Sequence, residues 1–469
     1  MKGLILLPEI YFLGVAILFL VLSMARPNRK RDFGIALFLA GLGVIVTVGT
    51  IRLEGTLFHG AYRTDLFSQI FKSLSSLGLF LVLCLCRNLS GIREDRHSEF
   101  YLLLSTATLG MMLLVSSIEL LTLYIALELT SYSLYALVPL RSGSGQMEAA
   151  IKYFLSGIAT SSLMLFGMAT LFAATRTTDI GELGRSLPGL LNSPMAFTGL
   201  LLTLAGFFFK LALFPFHVWA PGVYQGAANQ VTAFVATATK VTAMAVLVRL
   251  VSMGHGNASL THVLISLAIL SMTYGNLVAL IQRDLKRLLA YSAIAHAGYV
   301  LIGILSMNQT GYGAAAFYAA AYLAMTFLCF VVVVNVAPDG RNVAIPQLAG
   351  LHRRSPLLAM ALLVGVFSLG GIPPTIGFTG KFLVFTAAMQ RGYFLLVLIA
   401  MINVVVSLYY YIQVVKAAFI LEPEAPLPAI RLSIPVTLLT AGMIVLIVAG
   451  GIFPRYLFQL TQSAVQSLP

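Results

Sequence analysis

Apolar stretches of about 20 residues recur along the whole chain, and each is long enough to cross a lipid bilayer as an α-helix. Only 10% of the residues are charged and the mean hydropathy is +0.95, whereas about 25% of the residues in a typical soluble domain are charged. The stretches lack the alternating pattern of roughly 10-residue strands that marks an outer-membrane barrel. Because helices are then the remaining way to satisfy the backbone inside a bilayer, the sequence predicts an all-α integral membrane protein.

The hydrophobic pattern predicts about fourteen transmembrane helices. They cover residues 4–23, 34–52, 66–86, 100–118, 120–140, 150–174, 195–219, 230–251, 263–282, 286–306, 313–336, 357–389, 393–416 and 433–453. The first run is too long for a cleavable signal peptide, contains Pro8 and Glu9, and is followed by no small-residue cleavage site, so we expect it to span the membrane. The twelfth helix joins two half-length pieces around the sequence GGIPP at 370–374.

The positive charges are distributed unevenly between the two sets of loops. Of the 29 lysines and arginines, 17 lie in loops that follow odd-numbered helices, 8 lie on the other side with the termini, and 4 lie inside spans. Because cytoplasmic loops carry the excess of positive charge, both termini are predicted to lie outside. The net charge of +13 is spread over short loops, which argues against a nucleic-acid-binding surface.

Two predicted helices carry both a break and a lysine. The seventh contains Lys210 and Pro215, and the twelfth contains the prolines 373–374 and Lys381. Interrupted helices at matching places in two halves indicate an inverted repeat around a transport site. Since the two helices are five apart, the repeat would relate helices 4–8 to helices 9–13. The predicted units are residues 1–99 for helices 1–3, 100–251 and 252–417 for the two repeats, and 418–469 for helix 14.

Four charged side chains are predicted near the middle of the membrane, where each costs about 2.5–3.5 kcal/mol even on the lenient insertion scale. They are Glu128, Lys210, Lys240 and Lys381. Burial disfavours the charged form of a lysine and a nearby carboxylate favours it, so a lysine beside a movable glutamate can be switched between the two forms. This is the requirement for a proton relay.

The proline in the seventh helix supports the same interpretation. Pro215 removes a backbone donor and leaves a carbonyl that needs water or a polar neighbour, and water is also what a moving proton needs. His296 is the counterpart of Glu128 in the second half, and an imidazole can pass protons through both nitrogens. The predicted relay therefore consists of Glu128, Lys210, Lys240, His296 and Lys381.

Structural roles are the alternative for each of these groups. A lone lysine near a helix end usually extends to the headgroups, and a lone membrane histidine usually hydrogen-bonds a neighbouring helix. For Lys72, extension to the headgroups and contact with a neighbour are equally expected. Glu9 is predicted to be interfacial, and His217 to serve in capping or packing.

Four stretches of the sequence are similar to a known family. FKLALFPFHVWAPGVYQGA, RDLKRLLAYSAIAHAGY, GGIPPTIGFTGKF and ALELTSYSLYALV resemble the antiporter-like subunits of respiratory complex I, the proton-pumping NADH:quinone oxidoreductase. The resemblance covers helices 4 to 13. It implies that Glu128 and Lys210 form a pair, that Lys240 is a central lysine and that Lys381 lies near the proton exit. Gly222 and Ala228 depart from the aspartate and proline of the family, which affects loop contacts.

The resemblance also implies function and partners. The chain would couple electron transfer from NADH to quinone to proton translocation in a bacterial inner membrane, beside other antiporter-like and small hydrophobic subunits. NADH, FMN, iron–sulfur clusters and quinone are expected in those partner subunits. This chain shows no Gly-rich dinucleotide motif, and its three cysteines, at 84, 86 and 329, lie in apolar runs without ligand spacing.

Two other functions remain open from the sequence. A multi-subunit cation/proton antiporter or a membrane-bound hydrogenase relative would share the same buried charges. A structural spacer could also use buried charges to fix helix packing, at a cost in stability.

Overall fold

The computed structural model describes residues 2–143, 145–423, 427–466 and 468. Its elements in chain order are α1 (Leu7–Ser23), α2 (Arg29–Gly49), β1 (Gly55–Leu57), β2 (Tyr62–Thr64), α3 (Leu66–Cys84), α4 (His97–Ser116), α5 (Leu120–Leu137), α6 (Gln146–Thr175), α7 (Ile180–Leu190), α8 (Pro194–Leu211), α9 (Trp219–Gly226), α10 (Asn229–Ala236), α11 (Ala238–Ser252), α12 (Ala258–Ala279), α13 (Leu285–Leu305), α14 (Gln309–Val336), α15 (Leu351–Arg354), α16 (Pro356–Gly370), α17 (Ile376–Gln390), α18 (Phe394–Phe419), α19 (Ile434–Ile452) and α20 (Arg455–Gln466). Short 3-10 turns occupy Lys2–Leu6, Phe58–Gly60, Glu94–Arg96, Val138–Leu140 and Ile345–Leu348.

The predicted fold class is confirmed. Within the described residues, 13 helices are long and apolar enough to cross a membrane. The predicted twelfth helix is the pair α16 and α17, which are too short to be counted among them and together make the fourteenth crossing. The strands β1 and β2 form an antiparallel hairpin between α2 and α3.

Side-chain caps explain where several of these helices begin. Asp65 accepts a hydrogen bond from the Ser68 backbone at the start of α3. Glu119 at α5 and Asp284 at α13 do the same for the third residue of their helices. A side-chain acceptor at this position satisfies one of the backbone N–H groups that the first turn leaves unpaired.

Backbone bridges at two places reveal the inverted repeat. Residues 118–120 pair with 178–180 just before α5 and α7, and residues 283–285 pair with 343–345 just before α13. In both bridges, the last residue of each three-residue segment donates its backbone N–H to the carbonyl of the first residue of the other segment. An odd number of crossings separates them, so they lie at opposite ends of the bundle. We call the end that holds the start of α1, the β-hairpin and the 118–120 bridge the terminal face, and the other end the opposite face.

The centre of the bundle is formed by α10, α11, α13 and α14. The combined span of α10 and α11 and the span of α13 are both 100% buried, whereas only 22% of the α19 span is buried. The apolar outer faces of the peripheral helices are available to lipid or to neighbouring subunits. Residues on α11 and α13 are thus shielded on every side by protein.

Some details differ from the predictions. The seventh predicted helix, at 195–219, stops at Leu211 because Ala212 adopts a left-handed conformation with φ 58°. The eighth is divided at Thr237 into α10 and α11. The short helices α7 and α20 were not predicted, and α20 packs against α14.

Candidate functional site in the centre of the bundle

The two helix breaks share one local geometry. The first half-helix of each, α8 or α16, ends at a left-handed residue, Ala212 with φ 58° and Gly371 with φ 82°. In each, the N–H of the following residue bonds back to a carbonyl five residues earlier, at 2.9 Å, which is the Schellman pattern of a helix end. A proline follows three residues after the left-handed one, Pro215 or Pro374, and both peptide bonds before these prolines are cis.

A lysine occupies the same carbonyl position in both breaks. Because proline has no N–H, the carbonyls of Leu211 and Gly370 have no helical donor four residues later. The Lys240 Nζ atom donates to the Leu211 oxygen at 2.7 Å. The Lys381 Nζ atom donates to the Gly370 oxygen at 3.0 Å and also to the Leu369 oxygen at 2.8 Å. The negative end of each half-helix is therefore capped by a buried cation.

Lys210 is placed differently from the other two lysines. It lies on the last turn of α8, before its break, whereas Lys381 lies on α17, after its break. The two breaks correspond in the repeat, but these two lysines do not. The Lys210 Nζ atom is buried and forms no hydrogen bond within the described residues, and it lies 5.7 Å from the centroid of the Tyr135 ring.

Glu128 lies near Lys210 without contacting it. Its charge is the one that acts electrostatically on Lys210, yet the pair is absent from the ion pairs found among the described residues, and Oε1 of Glu128 accepts a hydrogen bond from Ser161 at 2.5 Å. Glu128 and Lys210, which the sequence suggested as a pair, thus lie near each other but form no ion pair among the described residues.

His296 on α13 lies between hydroxyl groups. Its Nδ1 is 2.7 Å from the Tyr318 hydroxyl and its Nε2 is 3.3 Å from the Tyr411 hydroxyl. The Tyr411 hydroxyl continues to Ser292 Oγ at 2.5 Å. Both ring nitrogens therefore have a partner that can give or accept a proton.

The charges of Lys381 and Lys240 both lie within electrostatic range of His296. Its position in the repeat is close to that of Glu128. Counted from the equivalent caps Glu119 and Asp284, it lies about one helical turn further along its helix than Glu128 does.

A second polar network lies beside Lys381. The Lys381 Nζ atom is 4.7 Å from the centroid of the Tyr299 ring. The Tyr299 hydroxyl accepts from Asn276 Nδ2 at 3.1 Å, and Asn276 Oδ1 accepts from the Tyr410 hydroxyl at 3.0 Å. The sequence did not single out Asn276 or Tyr410, although a polar side chain inside an apolar span is a signal that could have found them.

Two residues near the terminal face are buried within the protein. Glu9 is 4% exposed and Lys72 is fully buried, so of the two alternatives for Lys72 the structure shows contact with a neighbour. Their side chains pair with each other at 2.8 Å. His217 packs between the rings of Phe214 and Tyr274, as a packing role predicts. In the part of the chain that the structure describes, no cluster of three or more His, Cys, Asp or Glu could hold a metal ion.

Comparisons with known proteins define the family. Residues 117–407 match the family model described as NADH:quinone oxidoreductase/Mrp antiporter, TM. The chain is 56% identical over 464 residues to NADH-quinone oxidoreductase subunit N 2 of Syntrophobacter fumaroxidans, with 98% of each chain covered. It is 36% identical to subunit N of Nitrosomonas europaea over 98% of this chain and 97% of the relative.

Solved structures of membrane complexes contain chains with the same fold. A chain of respiratory complex I from Thermus thermophilus superposes with a TM-score of 0.85 at 34% identity, covering 97% of this chain and 99% of that chain. A chain of the Mrp complex from a Dietzia species superposes with a TM-score of 0.89 over 99% and 97% of the two chains, at 19% identity, and so shares the fold.

The fold is that of an antiporter-like membrane subunit. With the relatives above, the chain belongs to the NADH-quinone oxidoreductase subunit N family, the antiporter-like membrane-arm subunits of complex I. The family resemblance drawn from the sequence is therefore confirmed, and a separate cation/proton antiporter is not favoured.

Proposed function

We propose that this chain carries protons across the membrane within complex I, through Glu128, Lys210, Lys240, His296 and Lys381. The observation that carries the proposal is the matched pair of helix breaks, in which buried lysines bind the carbonyls that the breaks leave without a helical donor. A buried ammonium that relies on one or two carbonyls has no counter-ion to hold its proton, so a small electrostatic change alters its charge.

The arrangement supports an order of events. A proton reaches Lys210, whose Nζ atom has no hydrogen-bond partner among the described residues, and the approach of the Glu128 carboxylate stabilises it there. When Glu128 returns to Ser161, the charge on Lys210 loses its support and the proton passes to Lys240. His296 relays it between its two hydroxyl partners to Lys381.

The surroundings of the chain follow from its family. The driving energy would come from electron transfer between NADH and quinone in partner subunits, which would hold the FMN and iron–sulfur clusters. The loops that follow odd-numbered helices hold most of the basic residues. This supports a bacterial inner-membrane protein whose terminal face lies outside the cytoplasm. Protons would then be taken up at the opposite face and leave beyond Lys381.

The test uses inverted membrane vesicles from cells that carry Lys210→Met in place of the native chain. NADH-driven quinone reduction and the pH gradient are followed after a native gel has shown the full complex. We expect both to fall together. Lys152→Met is the matched control, because Lys152 is 64% exposed and pairs only with Glu148 on the same helix. Wild-type rates and gradient in an intact Lys210→Met complex would refute the relay.

A further inference from the structure

A cavity of about 310 Å³ lies at the opposite face, and none of the proposed relay residues lines it. It is bordered by the ends of α3 and α14 and by the starts of α10 and α19. Arg87 and Arg431 line it together with neutral polar and apolar side chains, and no acidic residue of the described chain does. The cavity therefore carries positive charge that no carboxylate inside it balances.

Both arginines lack a partner for their side chains. Each is exposed, and neither guanidinium forms a hydrogen bond or an ion pair with the described residues. Arg87 contributes only its backbone carbonyl, which accepts from Arg29 at 2.7 Å. The Arg29 guanidinium also donates to Asn88 Oδ1 at 2.6 Å, so a third positive charge lies at the edge of the cavity. Like charges repel each other, and a bound anion would remove this repulsion.

A larger cavity at the same face shows the opposite arrangement. Its volume is about 560 Å³, and both Glu148 and Asp339 line it. Glu148 pairs with Lys152 at 2.5 Å, and Asp339 pairs with Arg341 at 3.0 Å. Basic side chains at this face are thus paired within the protein in one cavity and left available in the other.

The helix ends around the smaller cavity also favour an anion. Ser433 at the start of α19 makes no side-chain cap, so the first N–H groups of that helix keep their positive partial charge. The carbonyls on the other side are already bound. Gln230 Nε2 donates to the carbonyls of Leu85 at 3.4 Å and Asn88 at 3.0 Å, and Ser90 donates to the carbonyl of Pro338.

Apolar side chains lie beside the cavity on its membrane side. Cys84, Val334 and Val436 line it and belong to the spans of α3, α14 and α19. Leu77 lies two turns before Cys84 on the same side of α3, and Leu439 lies about one turn after Val436 on α19. Both leucines are half-buried. A ligand with a negative head and apolar chains would match both parts of this surface, whereas a soluble anion would use only the first.

We propose that this cavity binds the phosphate group of an anionic phospholipid, with Arg87 and Arg431 as its charged ligands and the acyl chains along α3 and α19. The inference does not depend on the proton relay. A basic pocket between transmembrane helices on the cytoplasmic side is suited to an anionic headgroup, and the loops at the opposite face hold most of the basic residues. The lipid would bridge the N-terminal helices and α19.

The test measures access to the cavity in the purified complex. Ser433→Cys places a thiol in its lining, and mass spectrometry of that peptide follows the reaction with N-ethylmaleimide. The complex is held in nanodiscs of phosphatidylcholine that contain increasing fractions of phosphatidylglycerol. We expect phosphatidylglycerol, which has a net negative charge, to slow the labelling, and pure phosphatidylcholine to leave the thiol reactive. The native Cys84 lines the same cavity and gives the same readout without a substitution.

Charge variants identify the ligands of the phosphate. Arg87→Gln and Arg431→Gln should each require about fivefold more phosphatidylglycerol for half-protection, which corresponds to about 1 kcal/mol per basic residue. Both should assemble, because neither guanidinium is bound to a protein group. Arg283→Gln is the matched control. Arg283 is an exposed arginine between α12 and α13 at the same face and does not line the cavity, so the half-protecting fraction should not change.

Four results would overturn the proposal. Equal protection by both lipids would show that the headgroup charge is not recognised. A shift in Arg283→Gln as large as in Arg87→Gln would assign the effect to the surface charge as a whole. Equal protection by inorganic phosphate in pure phosphatidylcholine would assign the cavity to a soluble anion. A thiol that reacts in none of the nanodiscs would mean that a neighbouring subunit fills the cavity.

Discussion

The Lys240 Nζ atom donates a hydrogen bond to the carbonyl oxygen of Leu211 at 2.7 Å. This contact joins the centre of the bundle to the helix break that follows Lys210, so one ammonium serves as both a structural cap and a charge. The two roles can be separated because a neutral amide can replace the cap but cannot carry the charge.

The first prediction compares Lys240→Gln with Lys240→Met. Glutamine can still donate to the Leu211 carbonyl, whereas methionine leaves that buried carbonyl unpaired at a cost of about 1–3 kcal/mol. We expect both variants to lose proton-coupled quinone reduction, and only Lys240→Met to lower the yield of assembled complex. Turnover and native gels measure the two effects. Wild-type turnover in Lys240→Gln would mean that the lysine is a cap only.

The second prediction concerns the left-handed residues of the two breaks. A left-handed conformation costs a non-glycine residue about 1–2 kcal/mol. Ala212→Gly should therefore stabilise the protein, and Gly371→Ala should destabilise it, the more so because the new Cβ would lie 2.9 Å from Lys381 Cδ. Thermal unfolding of the purified complex should shift in opposite directions for the two variants. A shift in the same direction for both would contradict the equivalence of the breaks.

The third prediction concerns the hydroxyl partners of His296. Tyr318→Phe removes the 2.7 Å hydrogen bond to Nδ1 but keeps the ring, so we expect slower quinone reduction in a normally assembled complex. Tyr322→Phe is the control, because the Tyr322 ring lies 5.5 Å from the imidazole and its hydroxyl has no hydrogen bond with the histidine among those found in the described residues. Equal rates in the two variants would argue that the contact between His296 and Tyr318 serves packing.

The hydropathy pattern was sufficient to predict the membrane-spanning helices. Length and apolar content identify a span directly, because the thickness of the bilayer is fixed. The seventh predicted helix was too long. The sequence shows Pro215, but an alanine gives no sign of a left-handed conformation, so the turn at Ala212 could not be predicted. The short helices α7 and α20 were missed because neither is apolar enough to register as a span.

The candidate site was predictable in its residues but not in its contacts. Charged side chains in apolar spans are visible in the sequence, so Lys240 and Lys381 could be selected. Their hydrogen bonds to the carbonyls of Leu211 and Gly370 depend on which helices pack together. The ion pair of Glu9 with Lys72 was missed for the same reason, because α1 and α3 are separated by a whole crossing and by the hairpin.

The last prediction concerns the buried pair of Asp65 and Arg249, which joins the start of α3 to the end of α11. Both side chains are 2% exposed and lie 2.9 Å apart. Breaking a buried ion pair by removing one partner costs about 3–5 kcal/mol. Asp65 also caps α3 through the Ser68 backbone N–H at 2.8 Å, and losing such a cap costs about 1 kcal/mol more.

Asp65→Ala should therefore reduce the yield of assembled complex more than Arg249→Met does, since Arg63, at 3.8 Å, can partly pair with the carboxylate that Arg249→Met leaves behind. Asp65→Asn combined with Arg249→Met keeps the cap and leaves no buried charge unpaired, so it should assemble better than Arg249→Met alone. Native gels and thermal unfolding of the purified complex measure this order. If the double variant is the least stable of the three, the pair contributes more through its mutual attraction than burial of the charges costs, contrary to the expectation for a buried ion pair.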